Sequence, residues 1–125
     1  GAFTAASGMP SLQFSLINML ALFDQGVISL ERIPELVSFN PAKIFNISKR
    51  GSIREKYFAD LVIVKHCQEY TLKKEDIISK CGWSPYEERK YSWRVEKTIS
   101  NGECVYSRAN GFLEKMQSRE ITFDR

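Results

Sequence analysis

The chain has 125 residues, enough for one ordinary domain, with 43% hydrophobic and 26% charged residues and no low-complexity tract. Its net charge of +3 comes in short pairs such as Lys73-Lys74 and Arg89-Lys90 interleaved with acids. That pattern reads as solvated surface and argues against a nucleic-acid partner, which needs a clustered basic face.

No apolar run approaches the ~20 residues of a membrane span, and no stretch reads as a secretory signal, so no membrane association is expected. Cys67, Cys81 and Cys104 are an odd, widely spaced set. They predict a cytoplasmic protein with free thiols, not a disulfide frame or a zinc knuckle.

Residues 1–9 are small and polar and read as a loop. Pro10 opens a helix with Leu12, Leu16, Leu20 and Phe23 on one stripe and Phe14, Ile17 and Ala21 on another, leaving Ser15, Asn18 and Asp24 as its polar side. Gln25-Gly26 ends it. A second helix starts at Ser29 and carries Ile33, Leu36 and Val37, with Pro34 near its first turn. Asn40 then reads as a cap with Pro41 in the first turn of a short third helix, and Gly51 as a turn. Ile53 reads as a brief strand, and Ala59–Val64 as a β-branched strand that wants burial on both faces. Thr71 is a plausible cap for a short helix through Ile77-Ile78 to Cys81, closed by Gly82. Trp83–Glu87 reads as a loop. Trp93–Ile99 and Cys104–Tyr106 are strands joined at Asn101-Gly102, the strongest hairpin signal in the chain. A second Asn-Gly (Asn110-Gly111) and a last extended stretch, Ile121–Phe123, complete the set. An almost wholly apolar helix and a few strands with too few partners describe a piece of a larger fold.

No catalytic constellation is visible. His66 is the only histidine, and it adjoins Cys67 on a strand, where neighbouring side chains point to opposite faces. That favours a structural role over a nucleophile–base pair. Asp60 reads as a carboxylate bonding backbone amides where its strand begins. Glu87-Glu88 reads as charged loop. Trp83, Tyr86, Tyr91 and Trp93 read as loop and hairpin packing before a stacking platform.

The order of residues from Asn40 to Val64 nevertheless resembles a known pattern. Asn40, Pro41, Ala42, Lys43, Gly51, Ile53, Ala59 and Asp60 match the segment that closes the barrel and re-enters the small β-domain of the amidohydrolase superfamily. A Pro-Gly turn of that pattern is Glu55-Lys56 here. Within the superfamily, three further stretches are similar to dihydroorotases: the loop Ala5 to Gln13, the loop Trp83-Ser84-Pro85-Tyr86-Glu87 (with Glu88 for its glycine), and the hairpin of Trp93, Val95, Thr98, Asn101-Gly102 and Val105-Tyr106. Phe123-Asp124-Arg125 is similar to the end of some members.

The resemblance implies an α/β fragment: the C-terminal helices of a TIM-barrel amidohydrolase plus the C-terminal half of its composite β-sandwich. Residues 1–48 would end the barrel domain, 49–107 would form part of the small β-domain with a linking helix, and 108–125 would form a tail. It implies a dihydroorotase, zinc-dependent in its intact form, acting on dihydroorotate and N-carbamoyl-L-aspartate, homo-oligomeric, and needing the N-terminal remainder of the enzyme as partner. Its metal ligands and catalytic aspartate would lie outside this chain, which alone binds no metal. Ser7 and Gly8 match the pair whose backbone contacts the substrate ring in relatives. Rival readings are another cyclic amidohydrolase (a dihydropyrimidinase or an allantoinase), a non-catalytic scaffold subunit, and a free-standing binding module. The Trp-Ser-Pro loop and the closing hairpin weigh toward dihydroorotase.

Overall fold

In the computed structural model, which describes residues 8–113 and 119–124, a helical first part leads into an antiparallel sheet. A 3-10 turn (Leu12–Phe14) runs into helix α1 (Ser15–Asp24). Gly26, at φ 71°, ends it: Val27 N–H reaches back to Leu22 O at 2.9 Å and Gly26 N–H to Phe23 O at 2.8 Å. This is the left-handed stop that the sequence signals at Gln25-Gly26.

The second and third expected helices are one continuous run, a correction to the sequence reading. It starts at Arg32, not Ser29, as α2 (Arg32–Pro34), widens into a π turn (Glu35–Phe39) and continues as α3 (Asn40–Ile44). Pro34 lies in the first turn, where its missing N–H costs nothing. Asn40 is not a cap. It has helical backbone angles (φ −64°, ψ −45°), and its N–H donates to Glu35 O, five residues back. Pro41 accounts for the wide turn, because its ring would clash with the carbonyl four residues earlier in a regular helix. Asn46, left-handed at φ 52°, stops the run, with Ile47 N–H bonding Ala42 O at 2.8 Å.

The sheet has the order β1-β2-β3-β4 and comprises β1 (Leu61–Thr71), β2 (Lys90–Ser100), β3 (Glu103–Ser107) and β4 (Gly111–Phe112). Asn101 and Gly102 turn β2 into β3 with φ of 52° and 87°, the double positive-φ turn expected from the sequence. Three other expectations fail. Ile53 is in no strand and is 89% exposed; nearby backbone groups bond within the loop, with Phe58 N–H to Lys49 O at 3.0 Å, and Ile47 makes the local bridge instead, to Phe123. Val62 and Ile63 are 48% and 46% exposed; as neighbours they point to opposite faces, so neither face of β1 is covered there among the described residues. Thr71 caps no helix. It ends β1, and only a 3-10 turn (Lys74–Asp76) follows before Ile77 returns to extended backbone.

Phe14, Leu72 and Tyr91 form the buried cluster, flanked by Ile17, Ala21, Tyr70, Ile77 and Tyr86. It is the Phe14–Ile17–Ala21 stripe of α1 that meets the sheet, while Leu12 stays exposed.

A charged clasp joins the two parts. Arg50, whose side chain is 13% exposed, pairs with Asp60. Its Nη2 donates to Asn101 Oδ1 at 2.9 Å, and Asn101 N–H donates to Asp60 Oδ1 at 2.8 Å. The guanidinium lies 4.4 Å from the Phe58 ring centroid. Asp60 thus has the backbone-bonding role read from the sequence.

Lys56 (φ 65°) and Glu88 (φ 69°) keep left-handed backbone at the two positions where the resembled motifs carry glycine. Lys56→Gly and Glu88→Gly should therefore each raise the urea midpoint, the relief being up to about 1 kcal/mol. Gly51→Ala and Gly102→Ala should both destabilise through φ of +81° and +87°, by roughly 1–2 kcal/mol of strain. Gly51→Ala should cost clearly more, since its methyl would meet Ala42 Cβ at 2.5 Å and Ser38 O at 2.8 Å while Gly102 faces open space. Equal losses in parallel urea melts would contradict that close approach.

Candidate functional site

The expected substrate-contacting pair falls at the start of the described chain. Gly8 is exposed, with φ +95° and open space where a side chain would stand. Ser7, like Ala5, Ala6 and the terminal Arg125 of the resembled motifs, lies outside the described residues. Gly8 presents backbone only, so any contact it makes is through its peptide groups. Ser11 N–H donates to Met9 O at 2.9 Å, and Phe14 N–H to Ser11 O at 3.1 Å, which turns the loop into α1.

Three polar side chains fix that loop and helix against the rest. Gln13 Nε2 donates to Asp76 O at 2.6 Å while its Oε1 accepts from Ile78 N–H at 2.9 Å. These bonds, with Asp76 Oδ2 accepting from Lys73 N–H at 2.9 Å, take backbone groups of the segment that the sequence had suggested as a helix. Tyr91 Oη donates to Asn18 Oδ1 at 2.7 Å. Ser92 Oγ donates to Asp24 Oδ2 at 2.6 Å, and Trp93 Nε1 donates to Asp24 Oδ1 at 2.9 Å. Asn18 and Asp24, the polar side of α1 in the sequence, are the groups that dock it on β2. Their signal was a polar residue interrupting an apolar helix, which sequence alone reads as solvent-facing.

Asp24 stands at the C-terminal end of α1, where the helix dipole disfavours a carboxylate. Partial burial pushes its pKa up, but the hydrogen bonds from Ser92 and Trp93 and the nearby His66 outweigh that, leaving it below the usual carboxylate range. His66 packs edge-on to Trp93 with centroids 5.0 Å apart, and among the described residues no hydrogen bond joins it to Cys67. Of the four aromatic residues weighed as a platform, Tyr86, Tyr91 and Trp93 have separate ring partners. Tyr86 meets Phe14, Trp93 meets Phe23 and His66, and Tyr91 meets Tyr70. Burial raises the Tyr70 and Tyr91 hydroxyls above their ordinary values, so both are protonated donors at neutral pH.

The donor set does not fit zinc. Among the described residues no three His, Cys, Asp or Glu side chains converge, and the single imidazole is packed on an indole.

The amidohydrolase family model matches residues 5–105, and the chain belongs to that family. A dihydroorotase of Pyrococcus abyssi is 38% identical over 100 residues, covering 80% of this chain and 24% of that protein. An allantoinase of Bacillus licheniformis is 36% identical over 124 residues, covering 96% of this chain and 27% of that protein. A solved D-hydantoinase superposes with a TM-score of 0.76 over 85% of this chain and 23% of its own, at 23% identity, which shows the shared fold. The chain thus spans about a quarter of the length of the curated relatives it matches. Dihydroorotases and allantoinases thus match the chain at similar identity, the allantoinase over the larger share.

Because its folded-state pKa is depressed, Asp24 stabilises the fold fully above the unfolded carboxylate range, and the contribution is lost as pH falls through the folded value. Asp24→Asn should therefore melt below wild type at pH 7, with the two melting temperatures converging below about pH 4. A gap independent of pH would mean that the carboxylate charge plays no part in docking α1.

Proposed function

We propose that the chain is the C-terminal part of a dihydroorotase, a cytoplasmic, zinc-dependent, homo-oligomeric hydrolase of cyclic amides. It would interconvert N-carbamoyl-L-aspartate and (S)-dihydroorotate in pyrimidine synthesis. The observation that carries this reading is the 38% identity to the Pyrococcus abyssi dihydroorotase across 100 residues. Under it, residues 1–48 end the barrel, 49–107 belong to the small β-domain and 108–125 form the tail. The metal ligands and the catalytic aspartate come from the rest of the polypeptide. The backbone of Ser7 and Gly8 contacts the substrate ring, and Gln13, Asn18 and Asp24 position that loop by pinning α1 to the sheet. Allantoin hydrolysis is the second reading, favoured by the 96% coverage of this chain in the match to the Bacillus licheniformis allantoinase.

The test is a substrate comparison with the protein at its natural full length, using dihydroorotate, allantoin and hydantoin. Dihydroorotate should lead in kcat/KM by about a hundredfold or more, the scale that a difference in pocket shape alone produces, with unpaired polar groups in a wrong complex adding to it. Preference for allantoin would replace the first reading with the second. The 125-residue chain alone, with or without zinc, should turn over none of them.

A further inference from the structure

Between α1, the Lys74–Asp76 turn and the sheet lies a cavity of about 440 Å³, inside the ~300–1,000 Å³ span of small-molecule sites. Much of its wall is aromatic: Phe14, Tyr70, Tyr106 and Phe112 line it, the last two tilted together with centroids 5.3 Å apart. Two cations line it as well, Arg94 and Arg108.

Arg94 is half-buried, and its guanidinium lies 3.6 Å from the Tyr70 ring centroid. One face of the cation is therefore covered by an aromatic ring, which holds the planar group flat and leaves its N–H edge for hydrogen bonds. Among the described residues neither arginine has a carboxylate partner; the ion pairs there are Arg32–Glu35, Arg50–Asp60, Lys73–Glu75 and Lys90–Glu69. The two acids of the cavity are engaged elsewhere. Glu75 faces Lys73 Nζ at 3.7 Å, and Asp76 Oδ2 accepts from Lys73 N–H at 2.9 Å. The Tyr70 hydroxyl donates to Trp93 O at 3.0 Å and is not a competing donor. A guanidinium taken partly out of water without a counter-charge is an anion site, because its fork matches the two oxygens of a carboxylate.

We infer that this cavity binds a small planar carboxylate, an aromatic or heteroaromatic acid, with its carboxylate on Arg94, Arg108 as the second cation, and its ring against the aromatic wall. The acid group needs the half-buried fork, and the flat walls bury a ring better than a hydrated phosphate. The inference stands apart from the reaction proposed above: of the residues lining the cavity only Gln13 has a part there, holding the loop, and neither the ligand contacts nor the variants below involve it.

The test is calorimetric titration of the full-length protein with 2-naphthoate, its neutral analogue 2-naphthamide, and inorganic phosphate. Naphthoate should bind saturably, with the amide and phosphate weaker by about tenfold or more. Arg94→Gln should abolish the advantage of acid over amide, and Arg94→Lys should restore only part of it, because an ammonium lacks the bidentate edge. Arg108→Gln, at an exposed position, should weaken the acid alone, and Phe112→Ala should weaken acid and amide alike. The Arg108 and Phe112 variants decide the matter if Arg94→Gln lowers the melting temperature. Turnover of the full-length protein should be unchanged in all four variants. Equal binding of acid and amide, no saturation with any probe, or naphthoate affinity unchanged in every variant would overturn the inference.

Discussion

Arg50 is the hinge on which both parts of the structure turn. A guanidinium mostly withdrawn from water needs compensation at each of its donors. It finds that in Asp60 and Asn101, with the Phe58 ring beneath it. Each partner sits at a decisive point of the chain. Arg50 follows the helical run, Asp60 precedes β1, and Asn101 is the first residue of the β2–β3 turn. Asp60 bonds both Arg50 and the Asn101 amide, so no member can move without stranding another. Gly102 N–H to Ala59 O, at 3.0 Å, adds a backbone tie at the same junction. The loop carrying Arg50 in turn depends on Gly51, which lies so close to Ala42 and Ser38 that no side chain fits.

The helix ahead of this junction is held by different means. Its apolar stripe of Phe14, Ile17 and Ala21 supplies burial, but burial is non-directional and permits sliding. Gln13, Asn18 and Asp24 remove that freedom, because each hydrogen bond has one geometry. Their partners include a loop amide, a tyrosine hydroxyl and an indole, and the three residues are spread from the 3-10 turn before α1 to its last residue. In an amidohydrolase-family chain this fixes where the Gly8 loop emerges relative to the sheet.

What the sequence revealed is what short-range chemistry decides. Asn101-Gly102 needs only its own two residues to specify the turn, and Gly26 only the preceding helical turn. Asp60 was read correctly because a carboxylate at a strand entrance has few other occupations. The misreadings share the opposite cause. The strand predicted to end at Val64 runs on to Thr71, although Lys65 to Thr71 carries no clear apolar alternation, because β2 pairs with it at Lys65, His66, Tyr70 and Thr71. The Thr71–Cys81 segment has helix-compatible residues, but Gln13, more than sixty positions earlier, takes two of its backbone groups. The π turn arises from Pro41 acting backwards on residues already helical. At the candidate site the resemblance points to Ser7 and Gly8, while Asn18 and Asp24, which dock the following helix, read as an ordinary solvent face.

The sequence separation of these docking bonds has a consequence in time. Asn18 waits for Tyr91, 73 residues later, and Asp24 waits for Ser92, 68 residues later. At a synthesis rate of roughly 5–20 residues per second, that interval is several seconds. Throughout it, α1 has emerged with its apolar surface and no sheet to receive it. A helix can form in about a microsecond, so α1 can acquire its shape long before it has anything to bind. The ribosome-bound chain thus carries this amphipathic segment without its sheet for most of the synthesis of this region, and ten residues alone are too short to hold a stable helix.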